Sequence, residues 1–264
     1  MIRLIQPVSA SGIDSLSEVN FENTVLSVVF ADDGLSFLVC EDGEAKAFEK
    51  FNFETAVFNK IIEASALVKE KYAEVKIFID NRFFSLMPAN TATNGGLTDI
   101  GKTLFGNKDL EMIKSADADY DYVFGVEKTA FELIRKKWKN ADIHHFGEAF
   151  LKVFSDAAKG GEEVFFDIRD KWFRAALFRE RNLVLFNSYE FSGRNDFGFF
   201  ALGVIKNTGF DNKTLKLYLT GKVEDDAPLS KLLKKYVATV QNFDTGIDKK
   251  EFEAFFQLIK YLKK

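Results

Sequence analysis

The chain has 264 residues, 47% hydrophobic and 29% charged, with 30 phenylalanines but only 3 prolines, where average usage gives about 13. That composition excludes disorder, collagen-like repeats and proline-rich linkers, and it supplies a core for one large or two small domains. Lys and Arg number 36 against 40 Asp and Glu, a formal charge of -4, so the broad basic surface of a nucleic-acid binder is lacking.

Three apolar runs come first: Thr24–Ala31, Leu35–Cys40 and Ala45–Phe53, separated by Asp32-Asp33-Gly34 and Glu41-Asp42-Gly43-Glu44. Asp-Gly is hairpin chemistry, because it accepts the positive φ of tight turns. Phe58, Ile61, Ile62, Ser65, Val68 and Tyr72 then recur at helical spacing, predicting a helix over 58–72, and Val75–Asp80 reads as a fourth strand. Further on, Tyr120–Val126 reads as a strand, Lys128–Lys139 as a helix, Ile143–Phe146 as a strand and Gly147–Ala158 as a helix. Gly160-Gly161 marks a boundary, dividing the chain into subdomains over 1–159 and 160–264, with the last helix free to pack back on the first.

Beyond that boundary the opening order repeats at an offset near 137 residues, as a pattern and not as residue identity. Val164–Ile168, Phe173–Phe178 and Leu183–Tyr189 read as strands, and Asn195 offers an N-cap to a helix with the stripe Phe197, Phe200, Ala201, Val204, Ile205 and Thr208. Leu215–Thr220 closes the unit, and Phe252, Phe255, Phe256 and Ile259 form an amphipathic stripe near the end. Strand, strand, strand, helix, strand, written twice, is an α/β plan with a mixed sheet in each half. Cys40 lacks a second cysteine and lies in an apolar run, which suits a reducing compartment. The opening residues lack the apolar stretch of a signal peptide, and no window reaches 18 apolar residues, so a cytoplasmic protein without membrane insertion is expected.

This twofold βββαβ plan resembles the actin-like ATPase (ribonuclease H-like) superfamily. The segments Leu183–Phe191, Asn195-Asp196-Phe197 and Leu217–Gly221, with Ser85–Pro88 and Ile143-His144-His145, are similar to a Bacteroidetes family of unknown function. The resemblance covers essentially the whole chain and implies an actin-like fold without an established activity. In that superfamily two hairpin turns hold phosphate and an aspartate positions magnesium. The corresponding text here is Asp32-Asp33-Gly34-Leu35-Ser36 in the first half, where a plain tight hairpin is the preferred reading. The second turn, Asp167-Ile168-Arg169-Asp170-Lys171-Trp172, has neither glycine nor hydroxyl, and only Gly221 follows Thr220 where paired glycines would hold adenosine. Asp167 on its own reads as a solvated residue beside a turn.

Gly96-Leu97-Thr98-Asp99-Ile100-Gly101-Lys102-Thr103 matches G-x-x-x-x-G-K-T, but a polar loop precedes it instead of a strand, so it reads as a coincidence. His144 and His145 are adjacent, which turns their side chains apart on a strand and argues against a zinc site. The reading is therefore a non-catalytic actin-like protein that binds another protein, without a cofactor, in the cleft between its subdomains or at a sheet edge. Superfamily relatives among type IV pilus and secretion assembly components imply the same mode. The alternative is an ATPase or sugar-kinase-like enzyme using that cleft with ATP and magnesium, for which Asp32, Gly34, Ser36, Asp167, Thr220 and Gly221 are the binding positions.

Overall fold

Residues 5–116, 119–222 and 227–263 are described by the structure, a computed structural model; the opening residues 1–4 discussed above lie outside them. Two compact units emerge, one of the residues up to Phe150 together with those from Ile247 onward, the other of Leu151–Gly246.

The first unit contains β1 (Ser9–Ser11), β2 (Thr24–Ala31), β3 (Gly34–Glu41), β4 (Glu44–Phe51), α1 (Phe58–Ala64) and β5 (Glu74–Asp80). It continues through β6 (Phe84–Pro88), α2 (Leu97–Phe105), β7 (Leu110–Ala116), β8 (Tyr120–Glu127), α3 (Lys128–Lys137), β9 (Asp142–His145) and the start of α4 (Phe146–Ala157). Its main sheet has the order β1-β4-β3-β2-β5-β9, and β6-β8-β7 form a small antiparallel sheet. Neither β6 nor β7 stands out in the sequence. Leu110–Ala116 is broken by Glu111 and Lys114, and Phe84–Pro88 ends in a proline, so both depend on pairing with β8. In that sheet the backbone N–H groups of Ala92 and Asn90, with Lys114, hold the buried Asp121 carboxyl below the usual carboxylate range.

The predicted helix over 58–72 stops at Ala64. The cause is Glu49 of β4, whose buried carboxylate accepts from the Ser65 hydroxyl, from Ala66 N–H at 3.1 Å and from Leu67 N–H at 3.4 Å. A charged acceptor at that point claims the donors that another helical turn would use. Phe252, Phe255, Leu258 and Ile259 of the closing segment pack with Val29, Leu38, Phe48 and Phe78 in this unit's core. α7 (Phe256–Leu262) belongs to that segment. Burial pushes the Cys40 thiol up to about 12, so it stays protonated as a packing group.

The second unit holds β10 (Glu162–Ile168), β11 (Trp172–Arg179), β12 (Asn182–Glu190), α5 (Arg194–Asn207), β13 (Lys216–Gly221), α6 (Pro228–Leu233) and β14 (Thr239–Asn242). Its sheet order is β12-β11-β10-β13-β14. The first three strands are antiparallel, and β13 and β14 continue parallel to β10. In the first unit β4-β3-β2-β5-β9 have the same order and the same directions. The duplication is therefore one of topology. β1 is an addition that pairs with β4, whereas β12 borders only β11 among the described strands.

Both faces of this second sheet are covered, which explains its continuously apolar strands. Val164, Phe166, Leu217 and Leu219 pack with Phe197, Ala201, Val204 and Ile205 of α5. On the other face Phe154 of α4 meets Phe165 and Phe243 at ring-centroid distances of 4.5 and 4.8 Å. Asn195 is not the N-cap of α5. The helix begins at Arg194 with extended Gly193 as cap, and Asp196 reaches back to accept from the Ser192 N–H and hydroxyl at 2.9 and 3.1 Å.

Hairpin geometry also separates the two Asp-Gly sites. Asp42 and Gly43 both have positive φ, at 49° and 76°, as a type I′ turn requires. Gly34 has φ of 149° and pairs directly with Ala31, and an added Cβ would strike the Phe51 carbonyl oxygen. Its requirement is thus close approach to β4. The turn between β11 and β12 places Glu180 and Arg181 at φ of 48° and 69°, the same left-handed conformation without a glycine. Arg181→Gly is expected to raise stability by about 1 kcal/mol, read as a higher urea midpoint; an unchanged midpoint would contradict the strain assigned to this turn.

Candidate functional site

Register builds the most chemically distinctive site of the molecule. On adjacent strands of the second unit Asp167 of β10 lies opposite Arg174 of β11 and opposite Thr220 of β13. The period-two alternation of strands points all three to the same face. The reading of Asp167 as a solvated residue fails: Asp167 and Arg174 are each 0% exposed. Arg174 Nη1 lies 3.5 Å from Asp167 Oδ2 and Arg169 Nη2 lies 3.1 Å from the same oxygen, while the Thr220 hydroxyl donates to Asp167 Oδ1 over 3.4 Å. The Arg174 guanidinium also sits 5.1 Å above the centre of the buried Trp172 ring. A buried carboxylate needs compensation of this kind, because desolvating an isolated charge costs several kcal/mol.

The surrounding backbone closes tightly on this cluster. The Arg169 N–H donates to the Trp172 carbonyl at 2.9 Å, and the Lys222 N–H donates to Ile168 at 2.7 Å. Lys222 and Asp170 form an outer ion pair at 2.8 Å. Gly221, at φ of 86°, is packed so closely that a Cβ would stand 2.7 Å from Asp167 Oδ1. Its glycine requirement is local packing.

In the first unit, Asp32 is exposed at the turn, Gly34 opens β3, and Ser36 is buried within it. Asp33, the neighbouring acid, pairs with Lys50 at 2.8 Å. Each suspected position thus has an observed place: Asp32, Gly34 and Ser36 in the first unit, and Asp167, Thr220 and Gly221 together in the second. The donor set around Asp167 does not fit a magnesium–nucleotide site. The carboxylate expected to position the metal already faces two guanidinium groups, and the turn above it carries Arg169 and Lys171 without a glycine. Among the described residues no group of three or more His, Cys, Asp or Glu is placed to hold a metal ion.

Arg174 and Arg169 were missed by sequence reasoning, although Arg174 left a signal. It is the single charge inside Trp172–Phe178, and a charge in an otherwise apolar buried strand demands a partner across the sheet.

The other motifs resolve into structure. In the Walker-like string the residues between the glycines are already helical, because α2 begins at Leu97. A phosphate cradle needs those N–H groups turned into a loop, so this string cannot form one. Gly101 instead allows contact with β7, since a Cβ there would meet Met112 Sδ at 2.5 Å. His145 caps α4: its Nδ1 accepts from Gly147 N–H at 3.1 Å, its Nε2 faces the Asn81 carbonyl at 3.0 Å, and Glu148 accepts from its backbone N–H at 2.8 Å. His144 pairs with Glu148 at 2.9 Å, and the Ser115 hydroxyl donates to the same carboxylate. The two rings thus cap a helix and anchor a glutamate.

Residues 14–240 match the model of the family described as protein of unknown function, DUF3822. The chain belongs to that family. No curated protein matches the DUF3822 chain. Among solved structures it is similar to a Bacteroides thetaiotaomicron protein with actin-like ATPase fold and unknown function. That pair shares 18% identity and a TM-score of 0.79 over 90% of this chain and 98% of the other. It is also similar to a chain of a PilM-PilN type IV pilus biogenesis complex, at 11% identity and a TM-score of 0.57 over 91% of this chain and 98% of that one. Identities this low carry the fold alone, and the fold of this DUF3822 protein is the actin-like ATPase fold. No helix of the described residues is long and apolar enough to cross a membrane.

Proposed function

We propose that this DUF3822 protein is a cytoplasmic partner-binding module that works without nucleotide, and that β12 is where a partner's strand is added. The observation that carries this reading is the asymmetry between the two copies of the sheet. β1 covers the outer side of β4 in the first copy, while the corresponding strand of the second copy, β12, borders only β11 among the described strands. That strand runs for nine residues and carries Leu183, Val184, Leu185 and Phe186 in succession. Long apolar edges invite strand pairing, and proteins usually shorten, charge or cover them. Support also comes from the neutralised Asp167 and from the occurrence of a similar chain in a PilM-PilN complex.

Val184 provides the test. β12 bulges there, since Leu183 pairs with Phe178 and Leu185 with Leu177, so a proline at 184 removes an N–H without breaking a ladder pair. A photo-crosslinking residue at Asn187 is expected to give one reproducible protein adduct in cells, and Val184→Pro is expected to abolish it. Calorimetry with millimolar Mg-ATP is expected to show no binding. Micromolar binding that disappears in Thr220→Ala would overturn the reading in favour of the nucleotide enzyme.

A further inference from the structure

We infer that β12 takes a short antiparallel strand of a partner protein in which a small residue is followed directly by glycine, and that this strand displaces the Asn187 side chain. The inference rests on the reading of β12 as the place where a partner's strand is added, and it names the chemistry of that strand.

The first copy of the sheet supplies the template. Its β3–β4 hairpin and the β11–β12 hairpin carry the same bulge. Lys46 stands unpaired between the pairs Val39–Ala47 and Cys40–Ala45, and Val184 between Leu177–Leu185 and Phe178–Leu183. With the bulges aligned, Val184 corresponds to Lys46, Phe186 to Phe48 and Ser188 to Lys50. In the first copy these positions are covered by β1, antiparallel, with Ser9 opposite Lys50 and Ser11 opposite Phe48. The Lys50 carbonyl accepts from the Val8 N–H at 2.7 Å, so its backbone turns toward β1. β12 has the same orientation. The Phe191 N–H donates to the Lys171 carbonyl at 2.8 Å, and antiparallel bonding alternates along the strand. Tyr189 and Asn187 therefore bond to β11, while Ser188 and Phe186 turn their backbone groups to the outer side. The two strands present the same ladder outward, and β1 shows what fits it.

Two features of β1 answer to the strand it covers. Ser11 stands directly opposite Phe48, whose ring is buried. Cross-strand partners on one face are roughly 5 Å apart, so a large ring leaves room for a small neighbour, and Phe186 makes the same demand. Gly12 follows, at φ of 72°, where the chain passes the bulge. An added Cβ there would overlap the Lys46 carbonyl oxygen and stand 2.9 Å from Ala47 Cα. Glycine permits that approach, and Val184 and Leu185 offer the corresponding backbone in the second copy. A strand in this register needs a small residue opposite Phe186 and a glycine beside Val184.

Asn187 makes the outer side selective. The Ser188 N–H donates to Asn187 Oδ1 at 2.8 Å, so an incoming carbonyl must replace that acceptor. A strand that completes the rest of the ladder recovers this loss, whereas a passing segment does not, and indiscriminate pairing is suppressed. The corresponding residue of the first copy, Glu49, turns its carboxylate to Ser65, Ala66 and Leu67 instead, where β1 already covers the strand.

The probe is an acetylated peptide with the sequence of residues 6–13, Gln-Pro-Val-Ser-Ala-Ser-Gly-Ile, titrated into the full isotope-labelled chain and read by amide NMR. It is expected to bind with a Kd of about 1 mM. Exchange of the Phe186 and Ser188 amides should slow, while the Asn187 and Tyr189 amides, already bonded to β11, keep the protection they had. A nitroxide on the peptide's N-terminus is expected to broaden Ser188 and Glu190 before Leu183, as the antiparallel order requires. Gly12→Val in the peptide, or N-methylation of its Ser9 and Ser11 amides, is expected to weaken binding about tenfold or more. Asn187→Ala in the protein is expected to tighten it about threefold, because the Ser188 N–H then lacks its competing acceptor. No binding, contact at another strand, equal binding of the Gly12→Val peptide, or unchanged binding to Asn187→Ala overturns the inference. So does a dimer in sedimentation equilibrium that Val184→Pro dissociates, because a second copy would then take the place of the partner's strand. Failure of the partner-binding reading is seen separately, as Mg-ATP binding, and a failed peptide experiment leaves the β12 crosslink untouched.

Discussion

Replacing Arg174 with methionine is expected to destabilise the protein by about 3–5 kcal/mol, the usual result of stripping one partner from a buried ion pair. Methionine keeps most of the volume over Trp172, so the loss is electrostatic: Asp167 stays 0% exposed and retains one arginine in place of two. Pairing Arg174→Met with Asp167→Leu is expected to recover most of that loss, because two apolar groups need no compensation. Urea denaturation of the wild type, both single variants and the double variant closes the cycle. If Arg174→Met falls within about 1 kcal/mol of wild type, Arg169 alone suffices and the cross-strand pair is incidental.

Glu49→Ala is expected to cost about 2–4 kcal/mol, given roughly 1–3 kcal/mol for each buried polar group left without its partner. The Ser65 hydroxyl and the Ala66 and Leu67 N–H groups all converge on this one carboxylate. Glu49→Gln keeps one acceptor oxygen and is expected to recover about half of that loss, while Ser65→Ala removes two bonds, the one to Glu49 and the one accepted from the Val68 N–H at 3.2 Å, and costs about 1–2 kcal/mol. Hydrogen exchange supplies a local readout. The Ala66 and Leu67 amides should lose protection in Glu49→Ala before the sheet amides do. Uniform loss across the first unit would mean that Glu49 supports β4 and not the end of α1.

These two residues also mark the limit of what the sequence made legible. The strands of both copies could be placed because their apolar runs end in strong turn chemistry, and the resemblance to the actin-like superfamily followed from their order. Glu49 was hidden because its partners lie in a segment whose stripe, Phe58 to Tyr72, is helical by spacing. Only tertiary contact shows a carboxylate ending that helix early. Asp167 was visible as a residue but misjudged as a solvated one, since its burial depends on which residues of β11 and β13 lie beside it. The turn between β10 and β11 fixes that register. Gly34 and Gly221 were noticed for a feature shared with phosphate loops, yet in the folded chain each answers to a neighbour's backbone or side chain. A glycine in one sequence does not say whether it makes room for a ligand or for the protein.

The uneven ends of the second sheet bear on assembly size. At one end stands the nine-residue β12, and at the other the four-residue β14, Thr-Val-Gln-Asn, which is largely polar and exposed. Filament growth by strand addition requires both ends of a sheet to accept a neighbour, one to extend and one to be extended. A sheet with a single receptive end saturates after one addition, so complexes formed there would have a one-to-one stoichiometry that stays fixed as concentration rises.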